Sequence, residues 1–204
     1  LSLNLSLSVI AAYLLGAVPF GLLLSKLLAK RDPREYGSGN IGATNAMRTG
    51  GKLVGILTLL ADIAKSLVPV AIAVALELPE AWIAAIAAAS FVGHVFPVYL
   101  KFKGGKGVAT MLGAMLPWQP LASLLGVIIF ALLIWRFRYV SLASIGGAVA
   151  LPLLIWITGG SIPALIVGLL FASLVAIKHA GNIRRLIDGS EPALGEKRKA
   201  SPNA

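Results

Sequence analysis

The chain has 204 residues, 58% of them hydrophobic, with a formal net charge of +10 and no cysteine. A water-soluble fold of this length cannot enclose so much apolar side chain, so the bilayer is its solvent. The missing cysteine excludes disulfides, thiolate nucleophiles and Cys-ligated metals. The positive charge lies beside hydrophobic runs, without aromatic interleaving, zinc-finger spacing or an RNA-binding motif, which sets nucleic acid aside in favour of anionic headgroups and small anions.

Apolar runs long enough to span a membrane occupy 5–28, 53–76, 81–100, 120–135, 139–157 and 161–177. The first has no basic segment before it and is too long for a secretion signal, so it is expected to remain as the first span. The stretch 107–116 is only half as long, and the charge pattern decides its place. Seventeen of the eighteen Lys and Arg residues fall in 26–52, 101–106, 136–138 and 178–199, whereas 77–80, 117–120 and 158–161 hold none. Basic loops stay on the cytoplasmic side. The chain between 101–106 and 136–138 must therefore cross an even number of times, which makes 105–119 a short fourth span turning at Pro117-Trp118-Gln119-Pro120.

The expectation is an all-α polytopic membrane protein with seven transmembrane helices including a short fourth helix, N-terminus outside and C-terminus cytoplasmic. It forms a single integral-membrane domain over 1–204, with a flexible basic tail at 192–204. Fifteen helical residues rise about 22 Å, less than the hydrocarbon core, so the fourth element is expected to be short or re-entrant and buried against protein. Six spans plus a re-entrant segment is the alternative. Gly146, Gly147 and Gly168 suit close helix packing.

The first polar patch, GSGNIGATNAMRTGG at 37–51, combines tight-turn glycines with side-chain hydrogen-bonding groups around Arg48. Asn40, Thr44, Asn45 and Arg48 recur at near-helical intervals and can line one side of a turn, a pattern a plain flexible loop does not need. Arg48 can grip a phosphate bidentately. No GxxxxGK[ST] occurs, so this is not an ATPase loop. Asp62 and Lys65 stand three apart within the second apolar run, either as a buried ion pair or with Asp62 orienting a basic group that meets a ligand.

The second patch, GHVFPVYLKFKGGKGVAT at 93–110, sets Gly104, Gly105 and Gly107 around Lys106, the preferred phosphate ligand. Lys101 and Lys103 suit headgroup contact. His94 can bind a ligand, act as a base or bond a neighbouring helix. Two histidines with few carboxylates and no HEXXH give no metal site. In the third patch, KHAGNIRRLIDGSE at 178–191, His179, Asn182 and Arg185 stand three apart and can face one groove, while Arg184 reaches headgroups. A basic interfacial helix cap is the plainer reading of that patch.

Taken together, GSGNIGATNAMR, GHVFPVYLKFKGGKGVAT and HAGNIRRLIDGSE closely resemble the bacterial membrane acyl-phosphate:glycerol-3-phosphate acyltransferase family, the PlsY family, over essentially the whole chain. The resemblance implies a multi-pass protein of the bacterial inner membrane with its active site facing the cytoplasm. It implies transfer of an acyl group from acyl-phosphate to the 1-hydroxyl of sn-glycerol 3-phosphate, giving lysophosphatidic acid and inorganic phosphate. It assigns Ser38, Asn40, Thr44, Asn45 and Arg48 to catalysis and substrate binding, and Gly104, Gly105, Lys106 and Gly107 to glycerol 3-phosphate. His179 and Asn182 join the site, and Glu191 is structural or positioning. The chemistry leaves two acceptors for the hydroxyl proton, His179 as a candidate base and the substrate's own phosphate as an equal contender. His94 is placed with the substrate-binding residues, and Asp62 and Lys65 with the structural or positioning ones. No cofactor and no obligate protein partner are expected. The rival reading is a small multipass transporter of an anionic phosphorylated metabolite.

Overall fold

The computed structural model describes residues 2–196, which contain helices and turns and no strand. The first apolar run is two helices, α1 (Ser2–Ala17) and α2 (Phe20–Ala29), because Pro19 cannot donate into a continuous helical ladder. A loop leads to the short α3 (Ala43–Gly50), then the long α4 (Lys52–Ala75) and α5 (Glu80–Val95), which ends in a 3-10 turn at Val98–Leu100. After the glycine-rich loop come α6 (Val108–Met115), α7 (Pro120–Phe137), α8 (Val140–Ile157) and α9 (Ile162–Lys178), which bends by 59° into α10 (Ala180–Ile187).

Among the described residues, five segments are long and apolar enough to cross a membrane: Asn4–Ala29, Lys52–Ala75, Glu80–Leu100, Pro120–Phe137 and Val140–Ile157. The bent pair α9–α10 makes a sixth if it counts as one span. The element expected at 105–119 is the eight-residue α6, about 12 Å long. It is short because Gly107 enters it in the left-handed region at φ +86°, and residues 116–119 have already turned toward α7.

The outer surface is apolar, with Trp135, Trp156 and Ile162 each at least two-thirds exposed, as suits a lipid-facing wall. Inside, the Phe91 and Phe171 rings stack at 4.1 Å between α5 and α9, beside the fully buried Met115, Ile155 and Val95. Among the glycines named for packing, a Cβ on Gly147 would stand 3.3 Å from the Gly126 carbonyl on α7, whereas Gly146 and Gly168 press on flexible side-chain ends. The closest backbone contacts lie elsewhere. A Cβ on Gly16 would strike the Ser90 carbonyl, one on Gly93 the Tyr13 carbonyl, and one on Gly113 the Ile63 carbonyl, so α1 lies against α5 and α6 against α4 without side chains between them.

The non-basic connections meet at one end of the bundle. Glu80, at the start of α5, accepts from Trp118 Nε1 at 2.9 Å and from Ser161 Oγ at 2.8 Å. At the other end the expected tail at 192–204 is in part tied down: Leu194 N–H donates to the Arg138 carbonyl at 2.7 Å, which holds residues 192–196 to the end of α7. Residues 197–204 lie outside the described residues.

Candidate functional site

Asn45 organises the first polar patch. Its Oδ1 accepts from the Ser38 backbone N–H at 2.9 Å, and its Nδ2 donates to the carbonyls of Pro33 (2.7 Å), Asn40 (2.8 Å) and Tyr36 (3.1 Å). With 2% exposure it is the post around which the 33–42 loop is wound. Gly37 is required there, because it has φ +61° and any Cβ would collide with Asn45 Oδ1. Asn40 Oδ1 in turn accepts from Gly42 N–H at 2.8 Å, an Asx turn that leads into α3. At the loop's outer edge Asp32 accepts from Arg34 and pairs with Lys26 at 3.0 Å. The Arg34 guanidinium holds its carboxyl far below the usual range despite partial burial.

The second patch rests on His94. Gly105 N–H donates to the His94 carbonyl at 3.1 Å, and Cβ atoms on Gly104 or Gly105 would collide with the His94 carbonyl and ring respectively. A Cβ on Gly107 would strike the Phe91 ring. These glycines let the loop lie flat on α5, and Lys106 is what the loop presents, its Nζ donating to Asn182 Oδ1 of the third patch.

Asn182 Nδ2 donates to Glu191 Oε1 at 2.6 Å. Glu191 also accepts from Ser141 Oγ at 2.7 Å and from Arg185 Nε at 2.7 Å. Burial pushes the Glu191 carboxyl up, but these three donors outweigh it and hold the group below its ordinary value. His179 caps α9, with Nδ1 2.8 Å from the Val175 carbonyl. In the neutral ring the proton therefore sits on Nδ1, leaving the Nε2 lone pair available.

The three patches line one cavity of about 380 Å³. Ser38, Asn40, Thr44, Asn45, Arg48, Asp62, His94, Lys106, Gly107, His179, Asn182 and Glu191 all border it. Gly104, Gly105 and Lys65 do not border it. The sequence reading missed Ser141, whose only signal is its place just after the 136–138 basic patch, and the apolar series Leu59, Ile63, Met111, Leu112, Phe130 and Leu151 from α4, α6, α7 and α8, all of which border it. The lining thus combines polar and cationic groups from the three patches with apolar side chains from the helices. Such a space suits an anionic head joined to an apolar tail. No cluster of His, Asp or Glu able to hold a metal ion occurs among the described residues.

A helical multi-span membrane protein with a cavity part cationic and part aliphatic belongs to the class that handles amphiphilic lipid intermediates. Residues 6–189 match the family model described as glycerol-3-phosphate acyltransferase. The chain is 53% identical to the glycerol-3-phosphate acyltransferase of Syntrophotalea carbinolica over 89% of this chain and 93% of that one, and 50% identical to that of Geotalea daltonii over 90% and 94%. Crystal structures of PlsY, an integral membrane glycerol 3-phosphate acyltransferase, in its glycerol 3-phosphate and lysophosphatidic acid forms superpose with TM-scores of 0.90 and 0.86. Each is 36% identical and covers 94% of this chain and 96% of its own. The chain belongs to the glycerol-3-phosphate acyltransferase family.

Proposed function

We propose that this protein transfers an acyl group from acyl-phosphate to the 1-hydroxyl of sn-glycerol 3-phosphate at the cytoplasmic face of the bacterial inner membrane. The observation that carries the reading is the single cavity holding both Arg48 and Lys106 and the aliphatic lining from Leu59 to Leu151. Both substrates bear phosphate, and one bears a fatty chain; the cavity has a place for each kind of group.

The hydroxyl oxygen attacks the acyl carbonyl, the bond from that carbon to the phosphate oxygen breaks, and inorganic phosphate leaves. Phosphate is a good leaving group, so no acyl-enzyme is needed, and positioning with electrostatic stabilisation carries the rate. Lys106 and Arg48 hold phosphate, Ser38 donates a hydrogen bond, and His179 Nε2 takes the hydroxyl proton. Asn182 sets Lys106, and Glu191 sets Asn182. Thr44 and the turn at Asn40 complete the phosphate-facing wall, with Asn45 acting through the loop it holds. The family's assignment of glycerol 3-phosphate to 104–107 is carried here by Lys106, with the glycines serving its placement.

Seven crossings in one domain, with the N-terminus outside, remain the topology proposed. Support comes from Glu80, whose bonds to Trp118 and Ser161 gather the non-basic turns at one end, while Lys106 meets Asn182 among the basic patches at the other. The α6 segment passes between those ends.

The test is an assay of purified protein with acyl-phosphate and labelled glycerol 3-phosphate, following lysophosphatidic acid. Absence of lipid product across donor chain lengths and detergents would sink the reading.

A further inference from the structure

Lys65 does not border the cavity, yet four parts of the fold converge on it. It lies in α4 with 3% exposure, beside Asp62 at 2% and His94 at 5%. Its Nζ donates to the Val18 carbonyl at 2.9 Å, at the break between α1 and α2, and to His94 Nδ1 on α5 at 2.9 Å. The same nitrogen is in ion-pair contact with Asp62 Oδ1 at 2.8 Å, one turn back on α4. The Phe20 ring lies 5.8 Å from it.

An ammonium in apolar surroundings is costly unless its donors are used, and such groups in membranes mark function. Here they fix one side chain in particular. Because Lys65 donates to Nδ1, the neutral His94 ring carries its proton on Nε2. That nitrogen faces the Cα of Gly105, where no Cβ could fit, and the His94 carbonyl accepts Gly105 N–H. A shift of the ring is therefore passed to Gly105 by contact, and Lys106 follows in sequence.

We propose that Lys65 is a positioning residue for glycerol 3-phosphate, holding His94 in one tautomer and one place so that the 104–107 loop presents Lys106 to the cavity. The idea rests on the acyltransferase reading and adds a residue that never touches substrate. Asp62 supplies the countercharge that keeps the ammonium in place.

The experiment compares wild type, Lys65→Met and the charge-neutral pair Asp62→Asn/Lys65→Met, which leaves no carboxylate stranded in the membrane. Wild-type formation of lysophosphatidic acid first establishes the reaction; its absence refutes the parent reading, whereas the outcomes below concern Lys65 alone. In both variants the KM for glycerol 3-phosphate is expected to rise about tenfold or more, the loss of one hydrogen bond to a charged group. The kcat at saturation and the KM for acyl-phosphate should stay within about threefold. An unchanged KM in a folded variant, or equal loss toward both substrates, overturns the proposal. A second measurement needs no variant to fold: ring-15N NMR of the histidine-labelled wild type, whose only histidines are His94 and His179, should show His94 protonated at Nε2 and bare at Nδ1. The opposite tautomer overturns it as well.

Discussion

Glu191 holds Asn182 by a 2.6 Å hydrogen bond, and Asn182 is the residue that receives Lys106. The last polar residue of the third patch thus acts on the second patch across more than seventy positions of sequence. Ser141 and Arg185 bond the same carboxylate, which ties the start of α8 and the end of α10 into the cavity wall.

Glu191→Ala removes the acceptor of three donors. Stability in detergent should fall by about 2 kcal/mol or more, since hydrogen bonds to a charged group are the stronger kind. Turnover should fall at least about tenfold because Asn182 loses its anchor. Glu191→Gln keeps one acceptor oxygen and should lie between. The pH dependence has a definite sign: the folded carboxyl titrates below its ordinary 4.5, so its stabilisation is complete above that value and is lost as pH falls through the folded value. Acid melting curves of wild type and Glu191→Gln should therefore converge once pH falls below the folded value. Parallel curves throughout would show that the carboxylate does not carry the contact.

Asn45 and Ser38 adjoin the same cavity with different duties. Asn45→Ala strands the Ser38 N–H and three carbonyls, so it should cost about 3 kcal/mol and abolish activity by unwinding the loop. Ser38→Ala removes only a hydroxyl. Its melting temperature should match wild type to within about 0.5 kcal/mol of stability, while the rate drops by about a hundredfold. No histidine hydrogen-bonds a serine among the described residues, so mass spectrometry after exposure to acyl-phosphate alone should find no acylated protein. A wild-type melting curve for Asn45→Ala would refute the account of the loop.

Much of this was legible in the chain because charge and apolar period survive in a linear reading. The sorting of Lys and Arg placed three patches at one end, and His179, Asn182 and Arg185 at intervals of three foretold a shared face. A short helix at 107–116 was legible from its apolar letters, although its reduction to eight residues depended on Gly107 and the 116–119 turn. Other relations have no local signature. Nothing near Lys65 in sequence announces the Val18 carbonyl or His94, and Ser141 is one serine among several in apolar helices. Gly104 and Gly105 read as a phosphate cradle, since a glycine's letter does not tell whether its missing Cβ makes room for a ligand or for a neighbouring histidine. Pro19 was visible, but in a run that long its break is bridged by hydrophobicity alone.

Lys106 is where these strands of the argument can be tested together. Lys106→Met keeps the aliphatic stem and deletes the charge, so kcat/KM for glycerol 3-phosphate should fall by about a hundredfold or more with little change in melting temperature. Lys106→Arg restores charge but cannot place a compact ammonium on Asn182 Oδ1, and should recover only part of the loss. The contact itself is measured by adding Asn182→Ala. If Asn182 works by setting Lys106, the double variant should be little worse than Lys106→Met, whereas independent roles would multiply the two losses. Normal kinetics in folded Lys106→Met would remove this residue from the site and, with it, the reason for the Glu191–Asn182 arrangement.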